Sequence, residues 1–332
     1  MAKNVIIRKW TWSWLLSHAN KFWSVAKELS NETGISRFRL ILDMVFSLLR
    51  YGATEFDYKA YRFYERNHFS RNRFLTGRRR FSIANLFNPK KYHSLYDNKN
   101  EFYRCFSDFL GRRWLYAPDA SDQQIEEFLS GQKQVIVKPF VSFEGIGIYK
   151  LAYSEVADMK VFCESAREKR LTLEEIIKQH PDLNSINSAS VNTLRVNTVM
   201  DKKGIPHILC ASIRMGIGQS IVDNISSGGI YCQIDLETGI VFTPAVGEDL
   251  QTHIRHPTSG VVLPGFQIPY WEAAKAMVLS AAKVTPQTRW VGWDVAITSE
   301  GPLLVEGNTR PGPITMQLAV QTGIYHIVRR YL

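Results

Sequence analysis

The stretch Gly292–Gly312, GWDVAITSEGPLLVEGNTRPG, decides the reading of this 332-residue chain. Two apolar runs, Trp293–Thr298 and Leu303–Glu306, flank the turn-forming residues Ser299-Glu300-Gly301-Pro302, so the segment predicts a β-hairpin. Asp294 lies on the first strand, with Glu306 and Asn308 on the second. Glu306 and Asn308 are two apart, so a strand projects both from one face, and the hairpin can bring Asp294 beside them. Two carboxylates and an amide oxygen make a hard, all-oxygen set suited to Mg²⁺, which keeps waters and substrate phosphates as its other ligands. A hairpin whose polar ends are merely solvated is the plainer alternative, because short motifs carry a high false-positive risk.

Working back along the chain, Gln134–Lys138 (QVIVK) reads as a β-branched strand, and Phe143–Leu151 (FEGIGIYKL) as a glycine-containing turn running into another strand. Lys138 ends the first of these. The loop Glu144-Gly145-Ile146-Gly147 begins a few residues later, and backbone N–H groups in such a loop can approach phosphates closely while a strand-borne Lys supplies a point charge. Alone, this pattern also describes a surface Lys before a Pro turn, and no GxxxxGK[ST] phosphate loop occurs. Thr193–Met200, Ile208–Arg214, Gly229–Asp235 and Ile240–Phe242 read as short strands separated by Gly and Asp turns. Asn100–Leu110, Ile125–Leu129 and Trp271–Lys283 read as helices. Mixed strands and helices with antiparallel hairpins indicate an α+β architecture.

The charge is uneven. The chain holds 41 Lys+Arg and 31 Asp+Glu, but residues 1–100 hold 19 and 7 of these, a local balance of +12, and the remainder 22 and 24. Residues 1–90 read as a mostly helical, basic, aromatic-rich region, with helical spacing over 10–30, a break at Asn31-Glu32-Thr33-Gly34 and a second helix over Phe38–Arg50. Four scattered cysteines without a CxxC pair argue against a zinc ribbon and a disulfide scaffold and suit a reducing cytoplasm. The apolar stretch Leu40–Leu49 contains Asp43 and is far shorter than the ~20 residues that span a bilayer. No GxSxG motif supports Ser/His/Asp chemistry. His253 and His256 lack an acidic partner at metal spacing, and the cysteines read as core residues.

The order of elements resembles the ATP-grasp superfamily, and more closely its sugar-transfer-associated family. Besides Lys99 and VIVKP, the residues that carry the resemblance are EEIIKQHP (Glu174–Pro181), SVNTLRVNT (Ser190–Thr198), VDNISSGGI (Val222–Ile230), HPTSG (His256–Gly260) and the hairpin itself. It covers residues from about 52 to 320, and its specificity lies in five separated segments in the right order. The resemblance implies an ATP-grasp fold of two α+β subdomains gripping ATP: residues 91–178 as the small nucleotide-lid subdomain and 179–332 as the subdomain with the metal site, after the basic region 1–90. It implies Lys99 and Lys138 on the nucleotide phosphates, and Glu144, Gly145 and Gly147 in a mobile loop over the triphosphate. Glu174, Glu175, Ile176 and Ile177 match the hinge on the adenine edge, and Asp294, Glu306 and Asn308 the magnesium ligands. Asn224 with Gly228-Gly229 matches a loop touching phosphate or acceptor. Arg195 and Arg214, on strands facing the nucleotide, can clamp phosphate or a carboxylate bidentately or form surface ion pairs. Arg310 follows the metal ligands and can hold the oxygens of an acyl-phosphate.

The activity this implies is an ATP- and Mg²⁺-dependent carboxylate–amine ligase working through an acyl-phosphate. The family's association points to an amino acid joined to a sugar or uronic acid in bacterial surface-polysaccharide (capsule or lipopolysaccharide) biosynthesis. Partners are then small-molecule carboxylates and amines, including a sugar nucleotide or glycan. A phosphotransferase on the same site is an alternative. A nucleic-acid binder is another, motivated by the basic first third, although RRM, KH and helix-turn-helix signatures are missing. Trp10, Trp12, Trp14 and Trp23 accompany the basic residues, so the amino-terminal region is expected to dock an anionic partner: a sugar nucleotide, a polyprenyl-phosphate-linked glycan or the inner membrane surface.

Overall fold

The computed structural model describes residues 12–140 and 147–332, with side chains described from residue 19. Contacts divide the chain into two units, residues 1–82 with 321–326 and residues 83–320 with 327–332.

The first unit is helical: α1 (Trp12–Thr33), α2 (Arg37–Tyr51), α3 (Glu55–Ala60), α4 (His68–Arg73) and α5 (Gly77–Phe87), whose last turn belongs to the second unit. The expected break falls at Gly34, which adopts φ +73° directly after α1. Ser36 caps α2 by accepting from the Arg39 N–H at 3.3 Å, and Gly52 closes it in the left-handed conformation with its N–H on the Leu48 carbonyl at 3.1 Å. Leu40, Met44, Leu48 and Tyr51 recur at helical spacing and bury one face. The polar heart of this unit is Asp43, gripped bidentately by Arg71 at 2.6 and 2.7 Å and receiving the Tyr58 hydroxyl at 2.7 Å. Tyr51, Tyr61, Phe63 and Phe74 pack against one another edge-on or stacked.

The second unit opens with α6 (His93–Asp97), α7 (Lys99–Cys105) and α8 (Ser107–Leu110). The single helix expected over Asn100–Leu110 is interrupted at Phe106, whose φ −112° and ψ 24° are not helical. β1 (Trp114–Tyr116), β2 (Val135–Lys138), β3 (Tyr149–Leu151) and β4 (Thr172–Glu175) form an antiparallel sheet in the order β1-β4-β2-β3. α9 (Asp122–Ser130) and α10 (Met159–Glu168) cover it through Ile125, Leu129, Cys163 and Ala166.

A larger antiparallel sheet follows. Its strands are β5 (Leu194–Met200), β6 (Pro206–Met215), β7 (Ile230–Ile234), β8 (Ala245–Val246), β9 (Thr252–His253), β10 (Trp290–Thr298) and β11 (Gly301–Asn308), in the order β11-β10-β5-β6-β7-β8-β9. α11 (Pro181–Ile186) precedes it, and α12 (Trp271–Val284) packs Ala274, Val278 and Ala281 against its inner face. The stretch Ile240–Phe242, expected as a strand, forms only isolated bridges, Val241 to Ile234 and Ile240 to Gln267. Asp235 closes the preceding turn through the N–H groups of Glu237 and Thr238, leaving only a short paired segment before the chain turns away. Gly239, at φ +73°, sits where a Cβ would fall 2.5 Å from Trp271 Cγ, so the turn and α12 pack together only without a side chain there.

Candidate functional site

Strand order aligns the site. In the large sheet Asp294 on β10 stands opposite Glu306 on β11 and opposite Arg195 on β5, while Arg195 is opposite Ser212 on β6. Arg214 lies two residues beyond Ser212 and so shares its face. The result is a row, Glu306–Asp294–Arg195–Arg214, across four strands. A β-bulge between Asp294 and Val295 sits at this row.

Asp294 is buried, and its carboxylate binds both arginines. Arg195 Nε donates to one oxygen, and Arg195 Nη2 at 3.1 Å and Arg214 Nη2 at 2.8 Å donate to the other. Burial opposes ionisation of Asp294, yet the two guanidinium groups and a hydrogen bond with Glu306 hold its pKa below the usual value. Glu306 is shifted the other way, by desolvation in the cleft and by the Asp294 charge facing it. Asn308 Nδ2 approaches Glu306 Oε1 at 3.5 Å. Among the described residues no three Asp, Glu, His or Cys gather as a ligand set, so a cation here would rely on these two carboxylates and the Asn308 amide. The residues fit one: like charges crowded across a hairpin, one driven towards protonation, are relieved by a bound cation, and Asp294 Oδ1, which accepts from Arg195 Nε while Oδ2 takes two donors, retains lone-pair capacity.

Arg214 is held from behind. It donates from Nε at 3.1 Å and Nη2 at 2.7 Å to Thr193 Oγ1, whose hydroxyl donates in turn to Asp223. Asp223 also accepts the Thr193 N–H at 3.0 Å and lies 3.5 Å from Arg214 Nη2. Burial raises the Asp223 pKa against the pull of Arg214, while Asp223 and Asp294 keep Arg214 firmly charged against its own burial. Neither Thr193 nor Asp223 was singled out by the sequence reading. Asp223 lies in the quoted VDN segment beside Asn224, where the glycine pattern drew the attention.

A second cluster forms at the small sheet. Ile136 on β2 faces Glu174 on β4, which places Lys138, two residues on, diagonal to Glu174 on the same face. Lys138 Nζ is 2.7 Å from Glu174 Oε1, Arg112 donates to Oε2 at 3.0 Å, and the Tyr103 hydroxyl donates to Oε1. Burial would raise the Glu174 pKa; the Lys138 and Arg112 charges overturn that and hold it at about 2. Arg112 also donates to the Leu304 carbonyl of β11 at 2.8 Å, so one side chain ties the two sheets together. The sequence reading missed Arg112 and Tyr103, because their partners lie dozens of residues away. At the start of the expected hinge, the Glu174 backbone lies inside the sheet between Trp114 and Ile136, and the chain leaves the sheet after Glu175.

One cavity of about 860 Å³ joins the two clusters. Its walls include Lys99, Lys138, the run Glu174–Ile177, Arg195, Arg214, Asn224, Asp294, Glu306 and Asn308, so these expected site residues meet in one place. Ile136 and Ile148 add apolar surface beside the Glu174–Ile177 run. Lys99 begins α7 behind the Asn98 cap, and its burial lowers its pKa against the pull of Glu306. Gly147 and Arg310 are not among the lining residues. Gly147 adopts φ +79° beside Pro139, and Arg310 is exposed with Nη2 3.8 Å from Asp97. Glu144 and Gly145 lie outside the described residues, as do Trp10 and the side chains of Trp12 and Trp14. His256 is structural: its Nε2–H donates to the Gly216 carbonyl at 2.9 Å while Nδ1 accepts from the Thr258 and Ser259 N–H groups. Burial pushes the Cys210 and Cys232 thiols up to about 12; Cys163 and Cys232 are buried, as expected of core residues, whereas Cys105 and Cys210 are half-buried.

Comparison with solved structures finds the ATP-grasp ligase PsnB in complex with a minimal precursor, Mg and ADP, at 14% identity, covering 74% of this chain and 60% of that one with a TM-score of 0.45. D-alanyl-alanine synthetase A from Vibrio cholerae matches at 14% identity over 73% of this chain and 62% of that one, TM-score 0.40. The L-amino acid ligase from Bacillus licheniformis matches at 11% over 72% and 48%, TM-score 0.42. The chain therefore spans less than two thirds of the length of each of these proteins, and these likenesses are distant. No curated protein sequence matches it. Residues 78–331, well over half of the chain, match the family described as sugar-transfer associated ATP-grasp, a narrower span than the one from residue 52 drawn from motifs. The α+β region from about residue 78 is thus an ATP-grasp fold preceded by a helical amino-terminal region, and the chain belongs to the sugar-transfer associated ATP-grasp family.

Proposed function

We propose that the protein is an ATP- and Mg²⁺-dependent carboxylate–amine ligase, and that the cavity joining the Lys138–Glu174 and Asp294–Arg214 clusters holds both nucleotide and substrate. The observation that carries this reading is the convergence in one cavity of two lysines, the buried Arg214 with the half-buried Arg195, and an oxygen donor set. The cavity lies in the range typical of small-molecule and cofactor sites. Ile136, Ile148, Ile176 and Ile177 form the adenine slot, and Lys99 and Lys138 face the phosphates. Glu306, Asn308 and Asp294 Oδ1 would hold Mg²⁺, which would supply charge neutralisation on the phosphate oxygens. Arg195 and Arg214, fixed in place by Asp294, Thr193 and Asp223, orient the carboxylate and the phosphoryl group transferred to it. Residues 91–178 act as the nucleotide lid and 179–332 carry the metal site, with Glu144, Gly145 and Gly147 in the covering loop, Asn224 on phosphate or acceptor and Arg310 on the oxygens of the acyl-phosphate.

In this reaction a carboxylate oxygen attacks the γ-phosphorus and ADP leaves. The amine nitrogen then attacks the acyl carbon, the C–O bond to phosphate breaks, and the nitrogen gives up a proton as the amide forms. The cavity walls keep water from the acyl-phosphate. The family description supports a sugar-linked substrate, and we assign the product to bacterial surface-polysaccharide synthesis, an amino acid joined to an amino sugar or uronic acid. The test is incubation with Mg·ATP, pooled amino acids and sugar nucleotides, read by ADP release and a new amide mass. Asp294→Ala and Glu306→Ala must both abolish turnover; wild-type rates in either variant overturn the assignment.

A further inference from the structure

α2 is apolar on two opposite sides. Leu40, Met44, Leu48 and Tyr51 fill the interior of the first unit. Phe38, Leu42, Val45, Phe46 and Leu49 are 39–73% exposed. At about 100° per residue the five exposed side chains fall within an arc of about 100°, centred roughly opposite the buried set. Apart from an edge-on contact of Phe46 with Tyr51, packing among the described residues of the unit does not account for them, and a contiguous stripe of this kind marks an interaction surface. Its border is cationic. Arg39 and Arg50 lie along one edge and are exposed. The only acid on the helix, Asp43, is neutralised by Arg71. Residues 1–82 as a whole carry 16 Lys/Arg against 6 Asp/Glu. Of those acids, Glu28 and Glu65 are also already paired, with Lys59 and Arg62.

We infer that this outer face of α2 lies on an anionic lipid bilayer, with the apolar stripe among the acyl chains at the interface and the arginines at the headgroup phosphates. A 15-residue amphipathic helix with apolar and basic edges has the composition of an interfacial helix, and its fit is to a surface. Among the described residues no helix is long and apolar enough to cross a membrane. Charge selects the occupant. A second copy of the chain would set two arginine-bordered faces of strongly basic units against each other, whereas a surface of anionic lipids complements both the stripe and its border.

The experiment is co-sedimentation of the full-length protein with vesicles of phosphatidylcholine, with and without phosphatidylglycerol. Binding should be at least about tenfold stronger to the anionic vesicles, in line with two arginines at the headgroups. The double variant Leu42→Glu/Phe46→Glu replaces only exposed side chains. It should keep its melting temperature and lose most of the binding, while Arg39→Glu/Arg50→Glu should lose the preference for anionic lipid. Three results overturn the inference: no binding by the wild type, binding by the stripe variant equal to wild type, or a concentration-dependent dimer of the wild type that the stripe variant abolishes.

Discussion

Replacing Glu174 by Gln keeps the shape of the side chain and removes its charge, which isolates what that charge does. Glu174 is 2% exposed, and the Lys138 and Arg112 side chains, themselves 12% and 3% exposed, converge on its two oxygens. In the variant two buried cations face each other without a counter-ion. Breaking a buried ion pair by removing one partner costs about 3–5 kcal/mol, because the orphaned charge has left water without compensation. For a cooperative unit of some two hundred residues this corresponds to a loss of about 6–20 °C in melting temperature. Urea unfolding followed by tryptophan fluorescence and circular dichroism measures it directly. The effect has a defined pH dependence. Glu174 ionises at about 2 in the folded chain against an ordinary 4.5, so its contribution is complete above about 4.5 and disappears as the pH falls through about 2. The gap between wild type and Glu174→Gln should therefore be full at neutral pH and close on acidification through that window. Adding Lys138→Met to Glu174→Gln should restore part of the loss, since it removes one of the unpaired cations. A Glu174→Gln protein within about 1 kcal/mol of wild type at neutral pH would refute the reasoning, because surface-like ion pairs are worth no more than that.

Other outcomes follow from equally local features. Asn88, fully buried, donates to the carbonyls of Trp290 at 2.7 Å and Thr309 at 2.6 Å and accepts the Trp290 N–H at 3.0 Å, so Asn88→Ala should cost about 2–4 kcal/mol in urea unfolding by stranding buried backbone groups. Gly239→Ala should destabilise by several kcal/mol, since it adds a steric clash with Trp271 to left-handed backbone strain. Gly204→Ala, at a similar φ with open space around it, should cost only about 1–2 kcal/mol, and equal losses would contradict the packing argument. Asp223→Asn should leave nucleotide affinity, read by fluorescence titration with ADP, close to wild type while lowering ligase turnover about tenfold or more by loosening Thr193 and Arg214.

Much of this was legible in the sequence because the signals were local. The Gly292–Gly312 hairpin was set by its turn and its alternating runs, and β10 and β11 pair as expected, with Asp294 opposite Glu306. The break at Gly34 and the helical spacing of α2 likewise belong to neighbouring residues. What escaped reading depends on partners far apart in the chain. Arg112 follows a left-handed Gly111 and reaches Glu174 and Leu304, so nothing in GRRW marks it as the tie between two sheets. Thr193 and Asp223 matter only because β5 and β6 bring Arg214 between them. The two arginines themselves could be placed on cleft-facing strands from the sequence, but their shared carboxylate, Asp294, became visible only through strand order. Ile240–Phe242 looked like a strand by composition and fails to become one because the Asp235 turn leaves too short a paired segment.

The most direct test of the ligase reading replaces the unknown amine with hydroxylamine. Purified protein is given Mg·ATP, hydroxylamine and a panel of amino-acid and uronic-acid carboxylates. At least one carboxylate should yield a hydroxamate together with ADP and inorganic phosphate in equal amounts, and the yield should vanish without Mg²⁺ and in Glu306→Ala. A phosphorylated product stable to hydroxylamine, formed with ADP and without release of phosphate, would contradict it and assign phosphotransfer to the site instead.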